Sequence, residues 1–174
     1  PRDGRRFHAY CCPGNSGAAE LLEEVDDKLQ LTIEWTADSQ DLEACECILI
    51  YLNAATWTSG AKSDELAEVV GRAMDLNMRL LLAHEMPGEG GQGVRGGCDF
   101  GNFFSCANGA TPPSLLKRGV YSKIAVALKG GEWREASMVM MAQALAEPPL
   151  ERPPGLVSSV ARDRLSAIWT AANA

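Results

Sequence analysis

Side chains capable of chemistry follow two of the apolar segments of the sequence. Tyr10, Cys11 and Asn15 stand at or after the end of RFHAYCC, and Trp57 follows CILIYL. If both segments are parallel strands, these residues lie at the carboxyl edge of the sheet, where such sheets bind ligands. The four residues are therefore candidates for holding a cofactor. For Trp57 the favoured alternative is a packing role, in the core or at its rim.

The helix predicted after Trp57 carries two acids that point in different directions. Its apolar stripe centres near Leu66, so Glu65 lies about 110° and Glu68 about 170° from the stripe centre. A catalytic carboxylate must reach a cleft, which makes Glu65 the stronger candidate, although counting back from the following strand favours Glu68. Alternatively both are ordinary surface acids, with Glu68 paired to Arg72 one turn later.

Two other positions have reactive side chains. His84 and Glu85 end the fourth apolar segment, where a histidine could act as an acid or base, although a partly buried, hydrogen-bonded histidine is commoner. Cys98 follows Arg95 near a predicted helix start, which could lower the pKa of its thiol. No base stands near Cys98 in the sequence, so a cysteine nucleophile is the weaker interpretation.

The six cysteines are expected to be reduced thiols, most of them buried. They form no C-x-x-C pair, and the chain has only two histidines. A zinc site would have to be assembled from scattered residues, so we expect no metal. A chain of 174 residues also buries enough surface to fold without a disulfide.

Charge and hydropathy exclude several classes of protein. The net charge is -7, and an acidic surface repels phosphate, so nucleic acid is not expected as a partner. No apolar run approaches the ~18 residues that a membrane-spanning helix needs. The first residues lack a signal-peptide pattern, and we expect a cytoplasmic protein.

Alternating strands and helices must position these side chains. The periodicity predicts strands at 6–12, 30–36, 47–52, 78–84 and 121–128, and helices at 18–29, 63–77, 98–106, 113–119 and 132–146, with one or two helical turns in 38–46. Segments 47–52 and 78–84 are almost entirely apolar, which is typical of central parallel strands. This order predicts a parallel sheet with helices on both faces.

The carboxyl-terminal third of the chain is predicted to contain a helix, a linker and a second helix. In the helix at 132–146, the stripe of Trp133, Ala136, Met140 and Ala144 is expected to face the core. Four prolines in 147–155 prevent a helix there. We expect an α/β domain at 1–147, a proline-rich linker at 148–155 and a final helix at 156–174 that packs back or leads into another domain. The glycine-rich segment 87–97 is expected to be a surface loop.

The stretch from CILIYL to LLLAHE resembles the third strand, third helix and fourth strand of Toll/interleukin receptor (TIR) domains. In that family the motif Trp-Cys-x-x-Glu-Leu begins the helix. Trp57 matches its tryptophan and Glu65 with the following leucine resembles its Glu-Leu pair, whereas Thr58 replaces the cysteine and the spacing is longer. FHAYCC resembles the first strand of the family. The resemblance spans residues 5 to 147.

Membership of this family would imply a three-layer α/β/α fold of flavodoxin-like topology, with a five-stranded parallel sheet in the order 2-1-3-4-5. It implies a protein-interaction module for signalling or scaffolding within a larger protein, with other proteins or further copies of itself as partners and no resident cofactor. The alternative is a glycohydrolase that cleaves the nicotinamide–ribose bond of NAD, in which Glu65 stabilises an oxocarbenium-like transition state. A second alternative is a flavodoxin-like nucleotide-binding domain.

Overall fold

A single parallel sheet forms the centre of the protein. The computed structural model describes residues 1–2, 4–88 and 95–148. The strands are β1 (Phe7–Cys11), β2 (Trp35–Thr36), β3 (Cys45–Leu52), β4 (Arg79–Glu85) and β5 (Val126–Leu128). All neighbouring pairs are parallel, in the order β2-β1-β3-β4-β5. The predicted strand order is confirmed.

Helices cover both faces of this sheet. They are α1 (Ala18–Leu29), α2 (Ala61–Asp75), α3 (Pro113–Lys117) and α4 (Arg134–Ala146), with short 3-10 helices at Ser39–Ala44, Phe100–Phe103 and Gly131–Trp133. Successive side chains of β3 alternate between two apolar clusters, one packed against α2 and α3 and the other against α1 and α4. The protein therefore has the predicted three-layer α/β/α architecture.

The two central strands lie side by side and run in the same direction. Ile48 on β3 is opposite Leu80 on β4, and the register continues to Leu52 opposite His84. From Cys47 to Leu52 every residue of β3 is buried, because both faces are covered by helices. The apolar runs at 47–52 and 78–84 were therefore correctly interpreted as central strands.

The strands at 30–36 and 121–128 were predicted too long. Only Trp35–Thr36 and Val126–Leu128 form strands. The N–H of Ile33 is taken by the carboxylate of Asp26, at 3.2 Å, so it cannot join the sheet. Tyr121 is held instead by its hydroxyl, which accepts a hydrogen bond from Trp57 and shares another with Thr111. These bonds draw the start of the predicted fifth strand away from β4.

The face of α4 that packs on the sheet was also predicted wrongly. Trp133, Ala136 and Met140 are exposed, and Ala144 is only partly buried. The buried residues are Arg134, Ser137, Met138, Met141 and Leu145. Apolar residues lie on two sides of this helix, so the periodicity of the sequence alone could place either side against the sheet. The buried ion pairs of Arg134 select the one that turns the predicted stripe outward.

Some predictions fall outside the described residues. These are most of the linker at 148–155, the final helix at 156–174 and the middle of the glycine-rich loop at 87–97. Among the residues that the structure does describe, none of the helices has the length and apolar character required to cross a bilayer.

Candidate functional site

Tyr10, Cys11 and Asn15 are buried at the carboxyl end of β1. The side chain of Asn15 forms two bonds to the backbone of Tyr51: its Nδ2 donates to the carbonyl at 2.8 Å and its Oδ1 accepts from the N–H at 2.7 Å. These bonds tie the loop after β1 to the end of β3. The polar groups of the Asn15 amide are thus engaged in structure, and its role in holding a cofactor stays a prediction.

Burial also makes the phenol of Tyr10 and the thiol of Cys11 poor acids. Burial is the main cause that raises the pKa of Tyr10 to about 12, with Cys12 and Glu65 contributing. Burial likewise raises the pKa of Cys11 far above its ordinary value, followed by the neighbouring Cys47. Both groups are neutral near pH 7, so neither supplies an anion for chemistry at this edge.

Trp57 lies in the core, in agreement with its favoured packing role. Its ring is buried against the apolar cluster beneath α2, and its Nε1 donates to the hydroxyl of Tyr121 at 2.8 Å. That hydroxyl is also 2.6 Å from Oγ1 of Thr111. Burial raises the pKa of Tyr121, so the phenol stays neutral and can both donate and accept in this chain of bonds.

Glu65 lies on the exposed side of α2, beside the loop that follows β1. A Cβ placed on Gly14 would overlap the carbonyl oxygen of Lys62 and lie 3.2 Å from a carboxylate oxygen of Glu65. The loop therefore packs directly against the first turns of α2. Because Tyr10 and Trp57 are only 1% and 5% exposed, neither ring faces an opening beside Glu65.

Glu68 is exposed as well, one turn further along α2. The predicted pairing of Glu68 with Arg72 is not formed. Arg72 lies 3.5 Å from Glu43 and donates to the carbonyl of Ser39 at 3.4 Å, because it extends toward the 3-10 helix before β3. The catalytic assignments of Glu65 and Glu68 stay predictions.

His84 is a buried, hydrogen-bonded histidine, as the structural alternative for this residue predicted. Its Nε2 lies 2.8 Å from the carbonyl oxygen of Cys98, and Phe100 and Phe103 meet its ring edge-on at 5.4 Å. Burial lowers the pKa of His84, against the opposing effects of the Cys98 carbonyl and Glu85. The imidazole is therefore neutral at neutral pH.

The thiol of Cys98 does not have the lowered pKa that its place in the sequence could have produced. The residue is buried, and burial raises its pKa even though a hydrogen bond with Asn102 acts in the opposite direction. All six cysteines are free thiols, and five of them are buried. In the described part of the chain, no three His, Cys, Asp or Glu residues are grouped closely enough to bind a metal.

A buried ion network at the carboxyl edge was missed by the sequence interpretation. Glu85, the last residue of β4, is completely buried. Arg134 Nη1 contacts its two carboxylate oxygens at 3.1 and 3.0 Å, and the hydroxyl of Tyr51 donates to Oε2 at 2.8 Å. Three elements of the fold, β3, β4 and α4, meet on this one carboxylate.

The same arginine binds a second carboxylate on α1. Nε of Arg134 donates to Glu24 at 2.9 Å and Nη2 at 2.5 Å, and Arg95 lies 3.7 Å from Glu24. These contacts, led by the hydrogen bond from Arg134, lower the pKa of Glu24. Burial alone would lower the pKa of Arg134, but Glu24 and Glu85 outweigh it and raise the pKa.

Among the residues named here the network is balanced in charge, because two arginines face two glutamates. The contacts of Arg134 fix α1 and α4 to the end of β4. Glu24 lies among the acidic residues of α1 and is only partly exposed. The sequence feature that could have indicated this network is Arg134 itself, which is the only basic residue in the otherwise nearly uncharged α4.

Two concave surfaces flank the short strand β5. One, of about 440 Å³, lies beside the end of β4 and the segment that leads into β5. It is lined mainly by apolar side chains, with His84, Asp99 and Lys123 as its charged or titratable members. The other, of about 1170 Å³, runs along the part of β4 that β5 does not cover. Neither is lined by Tyr10, Trp57 or Glu65.

Comparison of the chain with models of known families, with curated proteins and with solved structures found no match. The fold places the protein in the class of α/β domains with a five-stranded parallel sheet. The residues at its carboxyl edge are used mainly for internal bonding.

Proposed function

We propose that this domain is a TIR-like protein-interaction module that self-associates through the outer face of α4. The observation that carries this proposal is the second apolar side of that helix. Trp133, just before α4, and Met140 are 59% and 51% exposed, and Val139 is 40% exposed. A helix that is apolar on both sides is typical of one that is buried on both sides.

The exposed residues have the composition and spacing of an interface core. Tryptophan and methionine are enriched in protein interfaces, and tryptophan is the commonest energetic anchor. Fully burying a methionine of this kind stabilises a complex by about 1.5–3 kcal/mol, and the larger indole can contribute more. The rim is polar, with Glu132, Glu135 and Lys129, whose ammonium group lies 5.8 Å from the Trp133 ring.

A second copy of the chain fits this face better than an unrelated partner. Trp133 and Met140 are seven residues apart, about 10 Å along the helix. If two copies of α4 pack antiparallel across a two-fold axis, Trp133 of each meets Met140 of the other, so the face is self-complementary. The resemblance to TIR domains, whose members include modules that assemble with one another, supports the same choice of partner.

Sedimentation velocity over a wide range of protein concentration tests this proposal. We expect a concentration-dependent dimer, and we expect Met140→Glu to abolish it by burying a carboxylate opposite an apolar ring. Leu31→Glu is the matched control, because Leu31 is an exposed apolar residue beyond the end of α1. A monomer at every concentration, or equal association of Met140→Glu and wild type, would overturn the proposal.

NAD cleavage is the second candidate, supported by one feature. The exposed carboxylate of Glu65 lies beside the loop after β1, at the carboxyl edge of the sheet, where a dinucleotide would bind. Release of nicotinamide from NAD by concentrated protein, lost in Glu65→Ala and retained in Glu68→Ala, is the expected result for this function. No release, or equal release by both variants, would remove it.

A further inference from the structure

The concavity of about 440 Å³ beside the end of β4 has a floor made of one face of the sheet. His84 on β4 is opposite Ala127 on β5, and side chains of paired residues share a face. Met86 and Ala125 stand two positions away from these residues, so they lie on the same face, and all four line the concavity. Because two of the four are alanines, the floor leaves room for a ligand. The volume is within the ~300–1,000 Å³ typical of small-molecule sites.

Aromatic rings form one wall of this concavity, which we call the aromatic pocket. Phe100 and Tyr121 both line it, and their ring centroids are 5.3 Å apart in an edge-on contact. The hydroxyl of Tyr121 accepts a hydrogen bond from Trp57, which fixes the position of this ring. Ile124, another lining residue, is 99% exposed, so the pocket opens to solvent. A flat apolar ring can therefore enter and pack against the aromatic wall.

His84 presents one hydrogen-bond acceptor to this pocket. The residue is 5% exposed, and its Nε2 lies 2.8 Å from the carbonyl oxygen of Cys98. A carbonyl only accepts, so in the neutral ring Nε2 carries the proton and Nδ1 is an acceptor. Within the described ranges, only Arg79 has a buried side-chain nitrogen or oxygen that lacks a hydrogen-bond partner. Nδ1 bonds to no described residue, so it must reach open space, and the open space that His84 lines is the aromatic pocket.

Two opposite charges stand at the same pocket. Asp99 and Lys123 both line it and are both exposed. The ion pairs found in the described part of the chain involve other residues. The lining can thus bind a cationic and an anionic group together. Its net charge of zero suits a zwitterion better than a phosphate, which Asp99 would repel.

We propose that the aromatic pocket binds a free aromatic amino acid whose ring has a hydrogen-bond donor, tyrosine or tryptophan. The ring lies on the alanine floor and against the aromatic wall, and its hydroxyl or indole N–H donates to Nδ1 of His84. The α-ammonium group binds Asp99 and the α-carboxylate binds Lys123. Phenylalanine lacks the ring donor and would leave Nδ1 without a partner in an apolar site, so it binds more weakly.

An NMR titration of the full-length chain with L-tryptophan tests the proposal. We expect saturable shift changes at the amides of Phe100 and Ala127. Four comparison ligands each lack one or more of the required groups: L-phenylalanine has no ring donor, tryptamine no carboxylate, indole-3-propionate no ammonium group, and N-acetyltryptophanamide neither charge. The loss of the ring donor or of both charges should weaken binding about fivefold or more, and the loss of one exposed charge about threefold.

Variants of the pocket separate this site from binding elsewhere. Ala127→Leu fills the floor and should abolish the shift changes, while unchanged amide shifts of β3 in the free protein show that the fold is retained. Lys123→Glu should weaken tryptophan binding about fivefold. Lys117→Glu is the matched control: Lys117 is an exposed lysine on α3 that does not line the pocket, and its replacement should leave the affinity unchanged.

Three results would overturn the proposal. One is the absence of any saturable shift change with tryptophan. Another is equal binding of N-acetyltryptophanamide, which would assign the pocket to a tryptophan within a partner protein. The third is undiminished binding by Ala127→Leu. The proposed dimer uses α4 on the opposite face of the sheet, so Met140→Glu should bind tryptophan as the wild type does, and the two proposals can fail separately.

Discussion

Arg134 in the first turn of α4 contacts both carboxylate oxygens of Glu85 at the end of β4, at 3.0 and 3.1 Å. Glu85 has no contact with solvent, and its other bond comes from Tyr51. The pair connects a helix to a strand that is not its neighbour in sequence. An ion pair of this kind contributes little against an apolar replacement, but removal of one partner leaves a buried charge.

Replacement of the arginine should therefore be strongly destabilising. We expect Arg134→Met to lower the free energy of unfolding by about 3–5 kcal/mol, because Glu85 would remain buried without its counter-charge. Urea unfolding measures the change. Arg118→Met is the control: it removes an exposed pair with Asp75 and should cost no more than about 1 kcal/mol.

The double variant Arg134→Met/Glu85→Gln separates the lost charge balance from lost packing. It should recover a large part of the stability, since the buried charge is gone. Equal stability of the single and double variants would show that Glu85 is not the group that Arg134 neutralises.

His84 should make the stability of the domain fall as the pH is lowered below the ordinary histidine pKa. Burial lowers the pKa of His84, so the unfolded chain takes up a proton first. The contribution of neutral His84 is complete above about pH 6.5 and is lost as the pH falls from there toward the folded pKa.

The measurement is the urea midpoint between about pH 7.5 and 5.5, a range above the titration of ordinary carboxylates. His84→Asn should show a weaker pH dependence than wild type. If His84→Asn keeps the wild-type slope, the buried imidazole is not the titrating group.

Gly14 should not tolerate a side chain. A Cβ there would overlap the Lys62 carbonyl and approach the N–H nitrogen of Leu66 to 3.2 Å, so the loop after β1 and the start of α2 would have to separate. We expect Gly14→Ala to cost about 1–3 kcal/mol, as overpacking does. Gly101→Ala is the control, since a Cβ at Gly101 meets nothing within 4 Å, and thermal or urea unfolding compares the two.

Only one cysteine should react quickly with a thiol reagent in the folded protein. Cys106 is exposed and the other five thiols are buried. For Cys12 and Cys47, burial raises the pKa to about 11, which further suppresses the reactive thiolate. Ellman's reagent should detect one fast thiol in buffer and six in denaturant, and Cys106→Ser should lack the fast phase. Rapid reaction of several thiols in the native state would contradict this packing.

The central part of the fold was predictable because burial leaves a clear mark on the sequence there. β3 and β4 are covered on both faces, so nearly every residue is apolar. Strands at the edge of the sheet lack this nearly continuous apolar sequence. β2 and β5 are shorter than predicted because Asp26 binds the N–H of Ile33, and Tyr121 is bound by Trp57. The first contact joins residues seven positions apart and the second joins residues 64 positions apart, and neither follows from the periodicity of apolar residues.

The candidate site was less predictable for a related reason. The carboxyl edge was correctly identified as the place where Tyr10, Asn15 and His84 gather, but their roles depend on partners. Asn15 bonds to Tyr51 and His84 lies against Cys98. The outward face of α4 was mistaken for the inward one because both are apolar, and only the buried contacts of Arg134 distinguish them.

The three-residue length of β5 has a consequence for how the protein opens. A strand with so few ladder bonds should separate at low energy, well before the central strands of the sheet. The helix α4 comes after β5 in the chain. It is bound to β4 and α1 by its own charged contacts, so it can stay in place when β5 separates. Local fraying at this border would leave the helix in place, and the segment around β5 could exchange with solvent while the centre of the sheet stays intact.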